Sequence, residues 1–105
     1  MKIYVSGKIS GLEMYANIER MHLTVAEYRK SRPDMEFVNP LEVGGEEGTW
    51  EAAMRKDIAA LCECDGILML PGWTASPGAQ LEMHVASRLG MPVFLALAEL
   101  PRQEA

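Results

Sequence analysis

The sequence predicts an α/β fold: a three-layer Rossmann-like or flavodoxin-like domain with a four- to five-stranded, mainly parallel sheet and helices on both faces. Strand patterns and helix patterns alternate along the chain, and parallel sheets with right-handed crossovers have this order. The run D-G-I-L-M-L is apolar without alternation, as expected for a strand that is buried on both faces. The 105 residues are 49% hydrophobic, which suffices for one core, so we expect a single domain over residues 1–105.

The first half of the chain predicts two strands around one long helix. Lys2–Ser6 is a short strand, and a glycine-punctuated loop follows it at Gly7–Gly11. Apolar residues then recur at helical spacing and predict a helix over Leu12–Lys30. A second short strand at Glu36–Val38 comes next, and an acidic, glycine-containing loop is expected at Leu41–Gly48.

The second half repeats the alternation. A helix capped by Thr49 is expected to run to about Cys64, followed by a strand at Asp65–Leu70 and a loop at Pro71–Ala75. Ser76 and Pro77 have the residue types of an N-cap and a first helical position, so a helix is predicted from there to Leu89. Pro92–Leu97 is the last predicted strand, and a tail begins at Pro101.

Two carboxylates, Asp57 and Glu82, lie in the apolar stripes of predicted helices. Because a helix turns roughly 100° per residue, both acids should point inward with their apolar neighbours. Carboxylates are rarely buried unless they are paired or hydrogen-bonded, so the pattern predicts a pocket in which a carboxylate does chemistry. The alternative is that each acid only bonds nearby groups. The neighbours are Trp50, Ala53, Met54, Ile58 and Leu61 for Asp57, and Ala79, Met83, Val85, Ala86 and Leu89 for Glu82.

The loops after the first and third strands should lie at one edge of the sheet, where ligands of such folds bind. The helix start at Ser76 and Gly78 would suit an anion, or it is a plain cap. The first loop could also face a phosphate, or it is an ordinary turn. Trp73 would stack on a base or cover its loop, and Tyr4 would donate to Glu82 or only fill the sheet. The predicted binding residues are Gly7, Lys8, Ile9, Ser10, Trp73, Ser76 and Gly78.

Composition excludes several classes of function. The formal charge of −5 argues against general affinity for nucleic-acid polymers and for anionic membranes, and no apolar run approaches a membrane span. The first loop matches neither the Walker A motif nor G-x-G-x-x-G, and we expect no cofactor. His22 and His84 have no metal-ligand spacing, so no metal site is predicted. Two thiols in the spacing Cys62-x-Cys64, poor for a disulfide, fit a reducing cytoplasm.

Five segments carry a resemblance that spans nearly the whole chain: K-I-Y-V-S-G-K-I-S-G, V-N-P, W-E-A-A-M-R-K-D-I-A-A-L, C-D-G-I-L-M-L-P-G-W and S-P-G-A-Q-L-E. They resemble a small bacterial and phage domain family of undefined function. That family is similar to a branch of the nucleoside 2-deoxyribosyltransferase-like superfamily, whose better-known members cleave the bond between base and sugar. The resemblance implies that Glu82 is the nucleophile, that Asp57 handles the proton of the departing base, and that Tyr4 orients Glu82.

The resemblance also bears on the substrate. The transferases of that superfamily carry an aspartate six residues before the nucleophile, whereas its 2′-deoxynucleoside 5′-phosphate N-hydrolases carry serine there and glycine two residues later, as Ser76 and Gly78 do. The chain departs from the hydrolases in its first loop, where Lys8 and Ser10 replace serine and arginine. The implied function is cleavage of a nucleoside 5′-monophosphate.

The alternatives are base exchange by a deoxyribosyltransferase, a nucleotide-binding module without catalysis, and a purely structural flavodoxin-like domain. The expected partner is a small nucleoside or nucleotide. Because members of the resembled superfamily assemble as dimers or larger, a homo-oligomer is expected too.

Overall fold

A parallel sheet lies at the centre of the protein, in a computed structural model that describes residues 1–43 and 48–102. Within these ranges the strands have the order β2-β1-β3-β4 and all pair in parallel. The strands are β1 (Lys2–Ser6), β2 (Glu36–Val38), β3 (Gly66–Met69) and β4 (Val93–Phe94). The helices are α1 (Met14–Ser31), α2 (Trp50–Cys62) and α3 (Pro77–Arg88). The predicted α/β class is confirmed.

The strand order reverses beside β1. This strand pairs with β2 on one side and with β3 on the other, with Tyr4 opposite Val38 and Ile67. The chain therefore leaves β1 in one direction through α1 and returns past it through α2. A reversal of this kind opens a crevice at the carboxyl ends of the two central strands. The loops after β1 and β3 both begin at this crevice.

The two faces of the sheet bury separate core clusters because successive strand residues point to opposite sides. On one face, α1 packs Met21 and Val25 against the sheet. On the other, α2 and α3 pack Leu61, Ala79 and Ala86. The sheet residues of the first cluster include Ile3, Val5, Phe37 and Leu68, and those of the second include Tyr4, Ile67 and Met69.

Two predicted helix starts are confirmed in atomic detail. Thr49 caps α2 by accepting a hydrogen bond from the Ala52 N–H at 3.1 Å, and Ser76 caps α3 by accepting one from the Ala79 N–H at 3.2 Å. Both caps satisfy N–H groups that have no partner inside their helix. Cys62 and Cys64 are free thiols, as their spacing predicted.

Several boundaries differ from the prediction. The last strand was predicted over Pro92–Leu97, but β4 ends at Phe94, and a 3₁₀ turn at Leu97–Glu99 follows because the Glu99 carboxylate accepts the Leu95 N–H at 3.0 Å. Leu89 was placed in the apolar stripe of α3, yet it is 61% exposed because the helix ends at Arg88.

The predicted loop at Leu41–Gly48 is also only partly irregular. Its first residues belong to a 3₁₀ turn over Pro40–Glu42, which Asn39 caps, and residues 44–47 lie outside the described part of the chain. Of the predicted tail, residues 103–105 lie outside it as well. Among the described residues, no helix combines the length and apolar character needed to cross a membrane.

Leu61 tests the packing of α2 against the sheet. Its side chain is 0% exposed, so Leu61→Ala should lower the free energy of unfolding by about 2–5 kcal/mol through lost burial and a new cavity. Urea denaturation followed by circular dichroism measures the change. The matched variant Leu89→Ala should change it by less than about 0.5 kcal/mol. Equal losses in the two variants would contradict this assignment of core and surface.

Candidate functional site

A cavity of about 400 Å³ lies at the crevice, and both candidate acids line it. Asp57 reaches it from α2, and Glu82 reaches it from α3. Its volume lies in the range of small-molecule sites. Residues from the loop after β1 and from the start of α3 complete this side of the cavity: Gly7, Ile9, Ser10, Ser76 and Gly78.

Glu82 is held in place by two hydroxyl groups from the central strand. Tyr4 Oη donates to Glu82 Oε2 at 2.5 Å, and Ser6 Oγ donates to Glu82 Oε1 at 2.7 Å. Tyr4 and Ser6 are two residues apart on β1, so both point to the face that α3 covers. A carboxylate has about four lone-pair sites, so two acceptor positions remain for a ligand in the cavity.

Burial raises the pKa of Glu82 to about 7. The residue is only 5% exposed, and loss of hydration disfavours its charged form. The hydrogen bonds from Tyr4 and Ser6 act in the opposite direction, and the negative charge of Asp57 adds to the rise. Burial and the negative charges of Glu82 and Asp57 raise the pKa of Tyr4 well above its ordinary value, so its phenol remains a donor.

Asp57 has a different environment from Glu82. It is half-buried, and loss of hydration raises the pKa of its carboxyl group to about 6. The negative charge of Asp57 raises the pKa of Glu82, so the titrations of the two carboxyl groups are coupled. Acid–base pairs in enzymes commonly have such unlike surroundings, which let one group donate a proton while the other is charged.

The start of α3 supplies neutral donors to the same cavity. Ser76 itself accepts the N–H groups of Ala79 and Gln80, Pro77 has no N–H, and the Gly78 N–H is the one of this first turn left without an acceptor among the described residues. A side chain at position 78 would crowd Met54, since a Cβ built there lies 3.3 Å from its sulfur. The Gly78 N–H at this helix start is therefore a donor that an anion could accept.

The other predicted site residues lie elsewhere. Tyr4 is fully buried behind Glu82 rather than at the cavity wall. Lys8 lines a second cavity, of about 670 Å³, together with α1 residues that include Arg20. Trp73 packs against the core cluster of α2 and α3. The loop after β1 thus contributes Gly7, Ile9 and Ser10 to the first cavity and Lys8 to the second.

Sequence reasoning missed three residues of the site. Ser6 has the same strand parity as Tyr4, which was a usable signal. Trp50 was interpreted as core, but it is 48% exposed and lines the cavity because it stands in the first turn of α2. His22 was considered only as a metal ligand and was not expected at the site, yet it also lines the cavity. Its ring is hydrogen-bonded to Asn39, which lies 17 positions further along the sequence.

Metal ligation has no basis in the described residues. Within residues 1–43 and 48–102, no group of three or more His, Cys, Asp and Glu side chains could hold a metal ion. The polar side chains that line the cavity at the crevice include the carboxyl groups of Asp57 and Glu82, the hydroxyl groups of Ser10 and Ser76, and the imidazole of His22.

The fold and the cavity define the protein as a Rossmann-like α/β domain with a small-molecule-sized cavity at the carboxyl edge of its sheet. The chain belongs to the family described as "Domain of unknown function (DUF4406)", whose profile matches residues 1–95. The resemblance to a family of undefined function is thereby confirmed. Comparison with curated proteins and with solved structures gives no match. Nothing in these comparisons links the chain to the nucleoside 2-deoxyribosyltransferase-like superfamily, so that relationship stays a prediction.

Glu82 should make stability depend on pH. Its pKa rises from 4.5 to about 7 on folding, so between these values the folded state binds more protons than the unfolded state. The stability that Glu82 contributes through this bound proton is fully present below about pH 4.5 and is lost as the pH rises through 7. In urea titrations, Glu82→Gln should flatten the decline of the free energy of unfolding with rising pH. At pH 8 its free energy of unfolding should exceed that of the wild type by on the order of 3 kcal/mol. Because burial also raises the pKa of Asp57, the free energy of unfolding of Glu82→Gln should still decline with pH, but less steeply. The exposed control Glu63→Gln should keep the wild-type slope, and a wild-type slope in Glu82→Gln would contradict the assignment.

Tyr4 should lower the pKa of Glu82 through its hydrogen bond. Tyr4→Phe keeps the ring but removes the donor, so the pKa of Glu82 should rise above its wild-type value. Titration of the Glu82 carboxyl carbon by ¹³C NMR measures this shift. Tyr15→Phe is the matched control because Tyr15 is exposed, and it should leave the Glu82 titration unchanged. An unchanged or lowered pKa in Tyr4→Phe would show that the bond does not stabilise the charged form.

Proposed function

We propose that the protein cleaves the N-glycosidic bond of a nucleoside 5′-monophosphate, with Glu82 as nucleophile. The observation that carries this proposal is the buried Glu82 carboxylate, which two hydroxyl groups orient at the wall of a cavity that Asp57 shares. A fixed carboxylate beside a second carboxyl group is the arrangement that retaining glycoside hydrolysis uses. The resemblance to deoxyribosyltransferase-like proteins gives the same roles to the same residues.

In the first step, a Glu82 oxygen forms a bond to C1′ while the bond from C1′ to the base nitrogen breaks. The electron pair leaves with the base, which takes a proton from the Asp57 carboxyl group. In the second step, water attacks C1′, Asp57 takes the proton of that water, and the Glu82 carboxylate is released. In the free protein the pKa of Glu82, about 7, lies above that of Asp57, about 6, so a single proton rests mainly on Glu82 and must move to Asp57 when the substrate binds. Positive charge that develops on the sugar favours the ionised form of Glu82 and therefore this transfer.

The start of α3 supports a phosphorylated substrate. Ser76 and the Gly78 N–H are neutral donors at the positive end of a helix dipole, where an anion is stabilised. Ser76 lies six residues before Glu82 on the same helix, which corresponds to about 9 Å along its axis. One small ligand can therefore contact Ser76 and Glu82 at the same time. A carboxylate at position 76 would repel a phosphate, and the chain has none there.

The test is incubation with a panel of nucleoside 5′-monophosphates and chromatography of the free base. Glu82→Gln should reduce base release by at least about 10³-fold, because the nucleophile is lost. Asp57→Asn should reduce it by about 10²–10⁴-fold, because the general acid is lost. The control Glu63→Gln removes an exposed glutamate at the end of α2 and should retain full activity.

The outcomes separate the alternatives. Base released equally by the wild type and by Glu82→Gln would remove the proposal. Product that forms only when a second base is added would identify a base-exchanging transferase. Nucleotides that raise the melting temperature without any turnover would identify a binding module.

A further inference from the structure

The orientation of the Asn39 side-chain amide is fixed by the backbone beside it. Asn39 is 3% exposed, and its Oδ1 accepts the Leu41 N–H at 2.9 Å. An amide oxygen accepts hydrogen bonds and an amide nitrogen only donates them. Because the Leu41 N–H requires an acceptor, Oδ1 must face Leu41, and Nδ2 must face the opposite direction.

That orientation decides the tautomer of His22. Asn39 Nδ2 lies 3.1 Å from His22 Nδ1. Since Nδ2 is a donor, Nδ1 must accept and therefore carries no proton. In a neutral imidazole the proton is then on Nε2, which becomes the free donor of the ring. His22 lines the cavity, and its Nδ1 is occupied, so Nε2–H is the polar group it offers to a ligand.

We propose that His22 determines ligand specificity in this cavity by presenting a fixed Nε2–H donor to a hydrogen-bond acceptor on the heterocycle of the ligand. The surroundings favour a flat, mostly apolar group, because Met14, Ile18 and Trp50 line the cavity with His22. Trp50 precedes Asp57 by seven residues, about 10 Å along α2, so its ring lies about two turns from the acid. The ligand class, a nucleotide base, rests on the proposed function.

Selectivity follows from the fixed direction of the donor. A base with a carbonyl oxygen or an unprotonated ring nitrogen at this position completes the hydrogen bond. A base with an amino group or a C–H there leaves the imidazole N–H without a partner once the ligand displaces water. Asn39 blocks the alternative tautomer, since that form would place two donors against each other.

The tautomer is tested first, without any ligand. At about pH 8.5, above the ordinary pKa of imidazole, ¹⁵N NMR of the His22 ring should show a protonated Nε2 and an unprotonated Nδ1. His84 is exposed and has no hydrogen bond within the described part of the chain, so it provides an internal reference. Asn39→Asp keeps the acceptor for the Leu41 N–H but turns an acceptor towards His22, so the proton should move to Nδ1. A wild-type ring with its proton on Nδ1 would overturn the proposal.

Ligand selectivity is then measured by calorimetry in the Glu82→Gln background, where turnover should be at least about 10³-fold slower. The probes are nucleoside 5′-monophosphates and their analogues that lack one ring nitrogen or one carbonyl oxygen. One analogue of the best-bound nucleotide should bind about fivefold to tenfold more weakly than its parent. Adding His22→Phe should abolish that difference, and adding His84→Phe should retain it. The same difference in the His22→Phe protein would overturn the proposal while leaving the proposed function intact. If no nucleotide binds, the proposed function and the ligand class both fail.

Discussion

The site depends on one unfavourable burial that the central strand compensates. Placing the Glu82 carboxylate between α3 and the sheet removes its hydration, which costs several kcal/mol for an unpaired charge. The hydroxyl groups of Tyr4 and Ser6 offset part of this cost with charge-assisted hydrogen bonds. The compensation is incomplete, because the pKa of Glu82 still stands near 7. The protein therefore keeps a poorly solvated carboxylate in a fixed orientation.

The topology concentrates the other groups around that carboxylate. The reversal of strand order beside β1 brings the ends of β1 and β3, the start of α3 and the inner face of α2 to one crevice. Gly7 allows the chain to pack closely there, since a Cβ at this position would lie 3.1 Å from the Leu70 side chain. The same loop separates the first cavity from the second, which Lys8 lines on the α1 side. Lys8, the one cation of the loop over Gly7–Gly11, thus lies at a different cavity from the two acids.

Family membership and fold leave the reaction open. The family that matches residues 1–95 has no defined function, and α/β folds of this kind host many chemistries. The functional argument therefore comes from the site: two carboxyl groups with unlike surroundings, a neutral helix start and a histidine with a fixed donor. These groups come from three different helices to one cavity, so the proposed substrate would have separate contacts for its phosphate, sugar and base.

The sequence by itself determined the alternation of strands and helices, the caps at Thr49 and Ser76, and the inward direction of Asp57 and Glu82. These features follow from periodicity and local hydrogen bonding, which act over a few residues. Only the tertiary structure decided that Ser6 joins Tyr4 on Glu82, that Trp50 borders the cavity, and that Lys8 turns away from it. The same holds for the pairing of His22 with Asn39. These outcomes depend on contacts between segments far apart in the chain, where the packing of whole elements outweighs the local pattern.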